Sequence, residues 1–284
     1  MALVSVLWGV ALLSIIAAAF LSSGNLSYRS ARNSIEVAQV NAIVEGAVAC
    51  VVLALLNVRP DRRWRTDGVT QEAEFSGIPV SVSVQDELGR IDINHADAPL
   101  LARAFQAAGL DSLAASALTD KILDWREPNS RRRLNGANEQ DYRTAGSAVM
   151  PRRGPFQSLD ELKLVMTMTS NIFRRVEPAL TVYSGSQFFD QSVAPREALM
   201  ALPGMDSAKV DTIIAGRGGG AGQPMQSNMG GIPSAANSLM TLAGRAFTIR
   251  TELKRPSSIH VHATVVRLTE DPDKPYWVLS SKAK

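Results

Sequence analysis

The chain has one cysteine, Cys50, among 284 residues. No intramolecular disulfide can form, and a lone thiol does not fix the compartment. There are three histidines, His95, His260 and His262. No carboxylate pair, Ser/His/Asp set or metal-ligand cluster stands out, so no enzyme class is indicated. His260 and His262 alternate in the strand-like run SSIHVHATVVRL. Two histidines on one strand face could start a metal site, but no nearby Cys or acidic residue completes it. The pair is expected on the solvated face of a strand. Net charge is +3, from 30 Lys and Arg against 27 Asp and Glu. That is short of the concentrated basic face of a dedicated nucleic-acid binder.

Charge itself is missing from Met1 to Tyr28. MALVSVLWGVALLSIIAAAFL is long enough to cross a bilayer, which takes about 20 apolar residues. It lacks the basic start of a signal peptide, and its apolar run is too long for one. The helical pattern continues as SYRSARNSIEVAQVNAIVEGAVACVVLALLNV, with Ile35, Ala38, Ala42, Val48 and Val52 on the apolar face. Ala2 to about Asn57 therefore reads as one helix of about 80 Å. It is apolar all round at first and amphipathic later. Either an anchor followed by a packing helix or a pilin-type helix fits this pattern. Arg29 and Arg32 follow the apolar run and nothing basic precedes it, which by charge alone favours a cytoplasmic C-terminal side. A short basic leader removed before Met1 would reverse that conclusion.

Beyond Pro60, DRRWRTDG reads as an exposed basic loop. Val80, Val82 and Val84 alternate with serines as a half-buried strand, DELGR turns, and IDIN is expected to pair back on that strand. From Ala96 to about Pro178 the pattern is helical. APLLARAFQAAGL ends at Gly109, Asp111 or Ser112 caps SLAASALTDKILDWRE, and Pro128 stops it. NSRRRLNGANEQDYRTAGSAVMPRRG reads as a polar loop. FQSLDELKLVM carries a capping box of Ser158 and Glu161, and SNIFRRVEP is a further short helix. A strand is expected near 179–184 and a flexible Gly-rich loop at 216–231, unlike a phosphate loop. AFTIRTELKR, SIHVHATVVRLTE and PYWVLSS read as strands that close the sheet begun at Ile78. The predicted organisation is an α+β fold. The helix covers 1–58, the first strands 59–94, an inserted helical region 95–240 and the last strands 241–284.

Within the insert, ALMALPGMDSAKVDTIIAGR has the outline of a helix-hairpin-helix. In DNA-binding versions a Gly-h-Gly turn lets phosphate oxygens approach the start of the second helix. Here Gly204 is present, but Asp206 stands where the second glycine would be. A carboxylate caps the helix and repels phosphate. The turn AGLDS repeats the pattern with Gly109 and Asp111. The third turn, MTMTSN, resembles that of competence-type DNA receptors but has lost both glycines. The alternative function, a membrane-anchored helix-hairpin-helix DNA receptor, is therefore disfavoured, and no nucleic acid is expected.

The apolar start, DELGRIDIN, DKILDWRE, GPFQSLDEL, VEPALTVYSG and APREALMALPGMD, in this order, resemble the type II secretion minor pseudopilin K family. The resemblance covers nearly the whole chain. It implies a pilin-like fold, a long N-terminal transmembrane helix on an antiparallel sheet, with a large inserted SAM-like, helix-hairpin-helix-like domain. It also implies a non-enzymatic subunit at the tip of the pseudopilus that starts assembly and supports export of folded proteins across the outer membrane. The implied partners are minor pseudopilins of the I and J types, the major pseudopilin, the prepilin peptidase, the bacterial inner membrane and exported substrates. The globular part would face the periplasm on a single-pass anchor, with Met1 as the mature N-terminus after peptidase cleavage. Ser5 occupies the place where most pilins carry a glutamate. Members of the family lack that glutamate too, and an unpaired carboxylate in a bilayer is expensive. Interface residues on this reading are Ser5, Ile35, Ala38, Ala42, Ala49 and Val52. Relatives can hold calcium in the insert. Here Asp124, Glu139 and Asp141 remain as candidate ligands, while Arg131 to Arg133 would repel the ion. A solvated loop is the preferred reading.

Overall fold

The computed structural model describes residues 2–57, 59, 63–75, 77–128, 132–217, 242–255 and 258–283. Met1, Arg131 and most of the Gly-rich stretch 216–231 lie outside these residues. The chain opens with one helix, α1 (Ala2–Leu55). Its second half lies on a five-stranded antiparallel sheet made of β1 (Asp67–Phe75), β2 (Ile78–Asp86), β5 (Ala246–Arg255), β6 (Ser258–Leu268) and β7 (Tyr276–Ala283), in the order β1-β2-β5-β6-β7. Between β2 and β5 the chain leaves for the insert. It contains β3 (Ile91–Asp92), α2 (Ala98–Ala107), α3 (Ser112–Arg126), α4 (Glu139–Thr144), α5 (Ser170–Val176), β4 (Leu180–Thr181), α6 (Arg196–Leu199) and α7 (Ser207–Gly216). This is the α+β architecture expected from the sequence.

Two apolar cores result. Val40, Ile43, Val44, Val48, Val51, Val52 and Leu55 of α1 pack on Val80, Val82, Val84, Phe247, Ile249, Leu253 and Val266 of the sheet. The β2 valines alternate inward because successive strand side chains point to opposite faces. The second core fills the insert around Leu101, Phe105, Leu118, Ile122, Trp125, Tyr142 and Leu199. Trp125 stacks on Phe156, with ring centroids 5.9 Å apart.

Several expectations are corrected. IDIN does not pair back on β2. Its Ile91 and Asp92 pair in parallel with Leu180 and Thr181, because Glu87–Gly89 form a 3-10 turn that aims the chain into the insert. Part of the basic loop DRRWRTDG is strand, since β1 starts at Asp67. The polar loop after Pro128 contains α4, anchored by Tyr142, which is 1% exposed and whose hydroxyl accepts from the Met166 amide at 3.0 Å. Ser158 makes no capping bond, so the expected box is absent. Glu161 instead takes the Gln157 amide at 3.2 Å and Arg152 at 3.0 Å. His260 and His262 do not lie on a solvated face. They sit opposite Leu253 and Thr251, on the side of the sheet that faces α1, and both are half-buried. Burial, and then the neighbouring His260, pushes the His262 imidazole pKa down.

A polar junction ties insert to sheet. The Glu87 carboxylate, 1% exposed, accepts from Thr248 Oγ1 at 2.6 Å, from Arg90 Nη1 at 3.2 Å and from Thr181 Oγ1. Asp86 pairs with Arg245. Asp92 accepts from the Asn94 and Gly185 amides, both at 2.8 Å. Gly89 has no room for a side chain, since a Cβ there would lie 2.5 Å from the Val193 carbonyl oxygen.

Candidate functional site

Three surfaces carry the residues that the sequence singles out: α1, the hairpin turns and the loop after α3. Along α1, two stretches are apolar. Ala31–Leu55 has a mean hydropathy of 1.9 and the length of a membrane span, yet a third of it is buried in the protein. It contains Arg32, Glu36 and Glu45 and supplies the sheet core, so it is the packing half. Leu3–Ala17 has no charge, and its side chains are exposed among the described residues. Leu3, Leu7, Trp8 and Leu13 are all more than two-thirds exposed. An apolar surface on every side of a helix calls for a membrane or for other apolar helices.

The expected interface residues divide accordingly. Ser5 is on the exposed stretch. Ile35, Ala38 and Ala42 point outward from the packing half, and Ala49 is half-buried. Val52 is corrected. It is 1% exposed within the chain's own core and cannot meet a partner. Periodicity misplaced this face because Ala and Val occur all round the helix.

In the hairpin turns, polar side chains cap the starts of the second helices. Gly204 takes the bend at φ +71°. Asp206 caps α7, its Oδ1 accepting the Lys209 amide at 2.9 Å, while Lys209 Nζ reaches the Gly204 carbonyl at 2.7 Å. That amide bond and the lysine charge hold the Asp206 carboxyl below its ordinary range, so it stays ionised. At the earlier turn Gly109 has φ +99°, and Asp111 caps α3 through the Ala114 amide at 2.8 Å. The third turn keeps a left-handed bend without glycine, at Thr167, φ +71°. Thr169 then caps α5 through the Ile172 amide at 3.2 Å. At each of the three second helices a side-chain oxygen accepts from one of the first-turn amides.

In the loop after α3, each candidate calcium ligand faces an arginine. Asp124 Oδ1 accepts from Arg133 Nη1 at 3.0 Å, and Arg133 Nη2 also reaches Glu127 at 2.6 Å. Asp141 faces Arg132 at 3.5 Å and closes a capping box with Asn138. Glu139 lies 3.2 Å from Arg153 and 3.7 Å from Arg143, at a polar cleft of about 250 Å³ lined by these residues with Asn138 and Gln140. Gly136 allows this packing, because a Cβ there would lie 1.8 Å from Asp124 Oδ2. Among the described residues no three Asp, Glu, His or Cys side chains converge on a metal position. The pairing of Arg132, Arg133 and Arg153 with these carboxylates was not foreseen. The crowding of arginines around the four carboxylates between Asp124 and Arg153 is the only signal in the sequence.

Residues 82–185 match the model of the family described as type II secretion system (T2SS), protein K. The fold is similar to that of a chain in the crystal structure of the GspK-GspI-GspJ complex from the enterotoxigenic Escherichia coli type 2 secretion system. The TM-score is 0.62 at 12% identity, over 89% of this chain and 98% of that one. A comparison with curated proteins finds no match.

Proposed function

We propose, from the match of residues 82–185 to the type II secretion system protein K family, that the chain caps the pseudopilus as a minor pseudopilin. Its partners on this reading are I- and J-type minor pseudopilins, as in the complex formed by the structurally similar protein. One observation carries the proposal. A single helix runs from an apolar stretch exposed on all sides into a half that packs on the sheet, leaving Ile35, Ala38 and Ala42 outward. A subunit built this way is held in a membrane or a helix bundle by its first half and presents a rigid head on its second. The bulky insert between β2 and β5 suits a position with no subunit stacked above it.

The role is structural. Insertion in the inner membrane, a periplasmic head, processing by the prepilin peptidase, contact with the major pseudopilin and help in export all follow from the same reading. On this reading Arg132, Arg133 and Arg153 balance the carboxylates of the insert loop, which is proposed to fold without calcium. The test is co-expression of the full chain with I- and J-type pseudopilins, with Ala38→Glu and Ala42→Glu as disruptive variants. A ternary complex that these variants abolish is expected. No complex, together with tight, salt-dependent DNA retardation, would overturn the reading in favour of the DNA receptor.

A further inference from the structure

Strand β7 has the sequence of an interior strand but stands at an edge. Tyr276, Trp277, Val278 and Leu279 form an unbroken apolar run. A strand with one covered face alternates apolar and polar residues, whereas a continuous apolar run belongs to a strand covered on both faces. Here Trp277 is 55% exposed, Val278 54% and Leu279 39%. Trp277 lies opposite Arg267 on the insert side of the sheet, and Val278 lies opposite Val266 on the α1 side. A register shift between Val265 and Val266 leaves Leu279 without an opposite residue. Among the described residues only β6 pairs with β7, so the backbone groups on its other side meet no strand.

We propose that β7 is completed by strand addition, an extended segment of another subunit of the assembly lying along its free edge. A helix or a lipid surface would cover one apolar face and leave the backbone row unmet. Only an extended chain satisfies the backbone donors and acceptors and reaches both faces. The incoming strand is apolar at its centre and carries a carboxylate toward Lys282. That lysine pairs with Asp160 through an exposed contact, which a second carboxylate can share. Lys274, 5.3 Å from the Trp277 ring centroid, marks the other end. A second copy is the poorer occupant. Pairing two β7 strands antiparallel about Val278 sets Lys274 of one against Lys282 of the other, and like charges directly opposite destabilise a strand pair.

The identity of the strand donor rests on the tip-subunit reading. The test is hydrogen exchange on the full chain, alone and in the purified complex with I- and J-type pseudopilins. Amides of residues 277–282 that exchange freely in the chain alone are expected to slow about tenfold or more in the complex. The double variant Trp277→Ser/Val278→Asp, at two exposed positions, is expected to weaken assembly about tenfold with its own melting unchanged. A complex with no change at β7 overturns the inference and leaves the tip reading intact. Protection already present in the chain alone, or appearing only as its concentration rises, also overturns it. Absence of any complex overturns both.

Discussion

Replacing Arg133 with alanine tests whether guanidinium groups hold the insert loop. The Asp124 side chain is 7% exposed and Arg133 is 29% exposed. Without Arg133 the carboxylate keeps, among the described residues, the amide of residue 133 at 3.3–3.4 Å. Removing one partner of a fully buried pair costs about 3–5 kcal/mol, and an exposed pair is worth about 0–1 kcal/mol. Arg133 lies between these limits, and its bond to Glu127 is of the exposed kind. We expect Arg133→Ala to cost about 2 kcal/mol, a fall in Tm of roughly 4–8 °C for a protein of this size. The assay is thermal or urea unfolding of the detergent-solubilised chain, followed by near-ultraviolet circular dichroism. Trp125 sits beside Asp124 and reports the loop. The companion variant Asp124→Asn removes the buried charge, so Asp124→Asn/Arg133→Ala should be more stable than Arg133→Ala alone. Calcium or a chelator should leave the wild-type midpoint unchanged. A cost below about 0.5 kcal/mol, or a double variant less stable than Arg133→Ala, refutes the account.

Two further outcomes are expected. Burial raises the Asp86 pKa to about 6 from 3.8, outweighing the attraction of Arg245. A folded value above the unfolded one gives a contribution that is full below about pH 4 and lost as pH rises through about 6. The loss is at most about 3 kcal/mol, at roughly 1.36 kcal/mol per unit. Asp86→Asn should flatten that part of the stability–pH curve, and an unchanged slope between pH 4 and 7 in the variant counts against it. Thr167 is β-branched and exposed at φ +71°, a conformation that costs a non-glycine residue about 1–3 kcal/mol. Thr167→Gly should therefore stabilise the chain by about 1 kcal/mol after the entropy of glycine is subtracted, and a lower urea midpoint would refute this.

Local signals survived folding where they were self-contained. Asp111 caps α3, Gly109 bends the chain after α2, and Val80, Val82 and Val84 line the core, all as their spacing predicts. The signals that failed depend on distant partners. Ile91 and Asp92 find Leu180 and Thr181, which no local pattern reveals. Glu161 leaves its capping role because Arg152 competes for it. The histidine face was misjudged because strand alternation gives two faces without saying which one meets α1. At the candidate site, the caps at the hairpin turns were legible from Asp206 and Asp111. The pairs Asp124–Arg133, Asp141–Arg132 and Glu139–Arg153 were not, since charges so far apart in sequence carry no spacing rule.

The insert leaves the sheet at Asp86 and returns to pair Phe247 with that same residue. Asp86 and Arg245, which close the gap, are 159 residues apart. The order of folding follows from this. An unfolded insert is a long, entropically costly loop, whereas a folded one delivers both of its ends to adjacent positions. The sheet under α1 therefore closes last, and contacts of such separation form slowly. Until they form, the apolar face of α1 between Val40 and Leu55 has no sheet to cover it, and the newly made chain is most open to wrong partners during that interval.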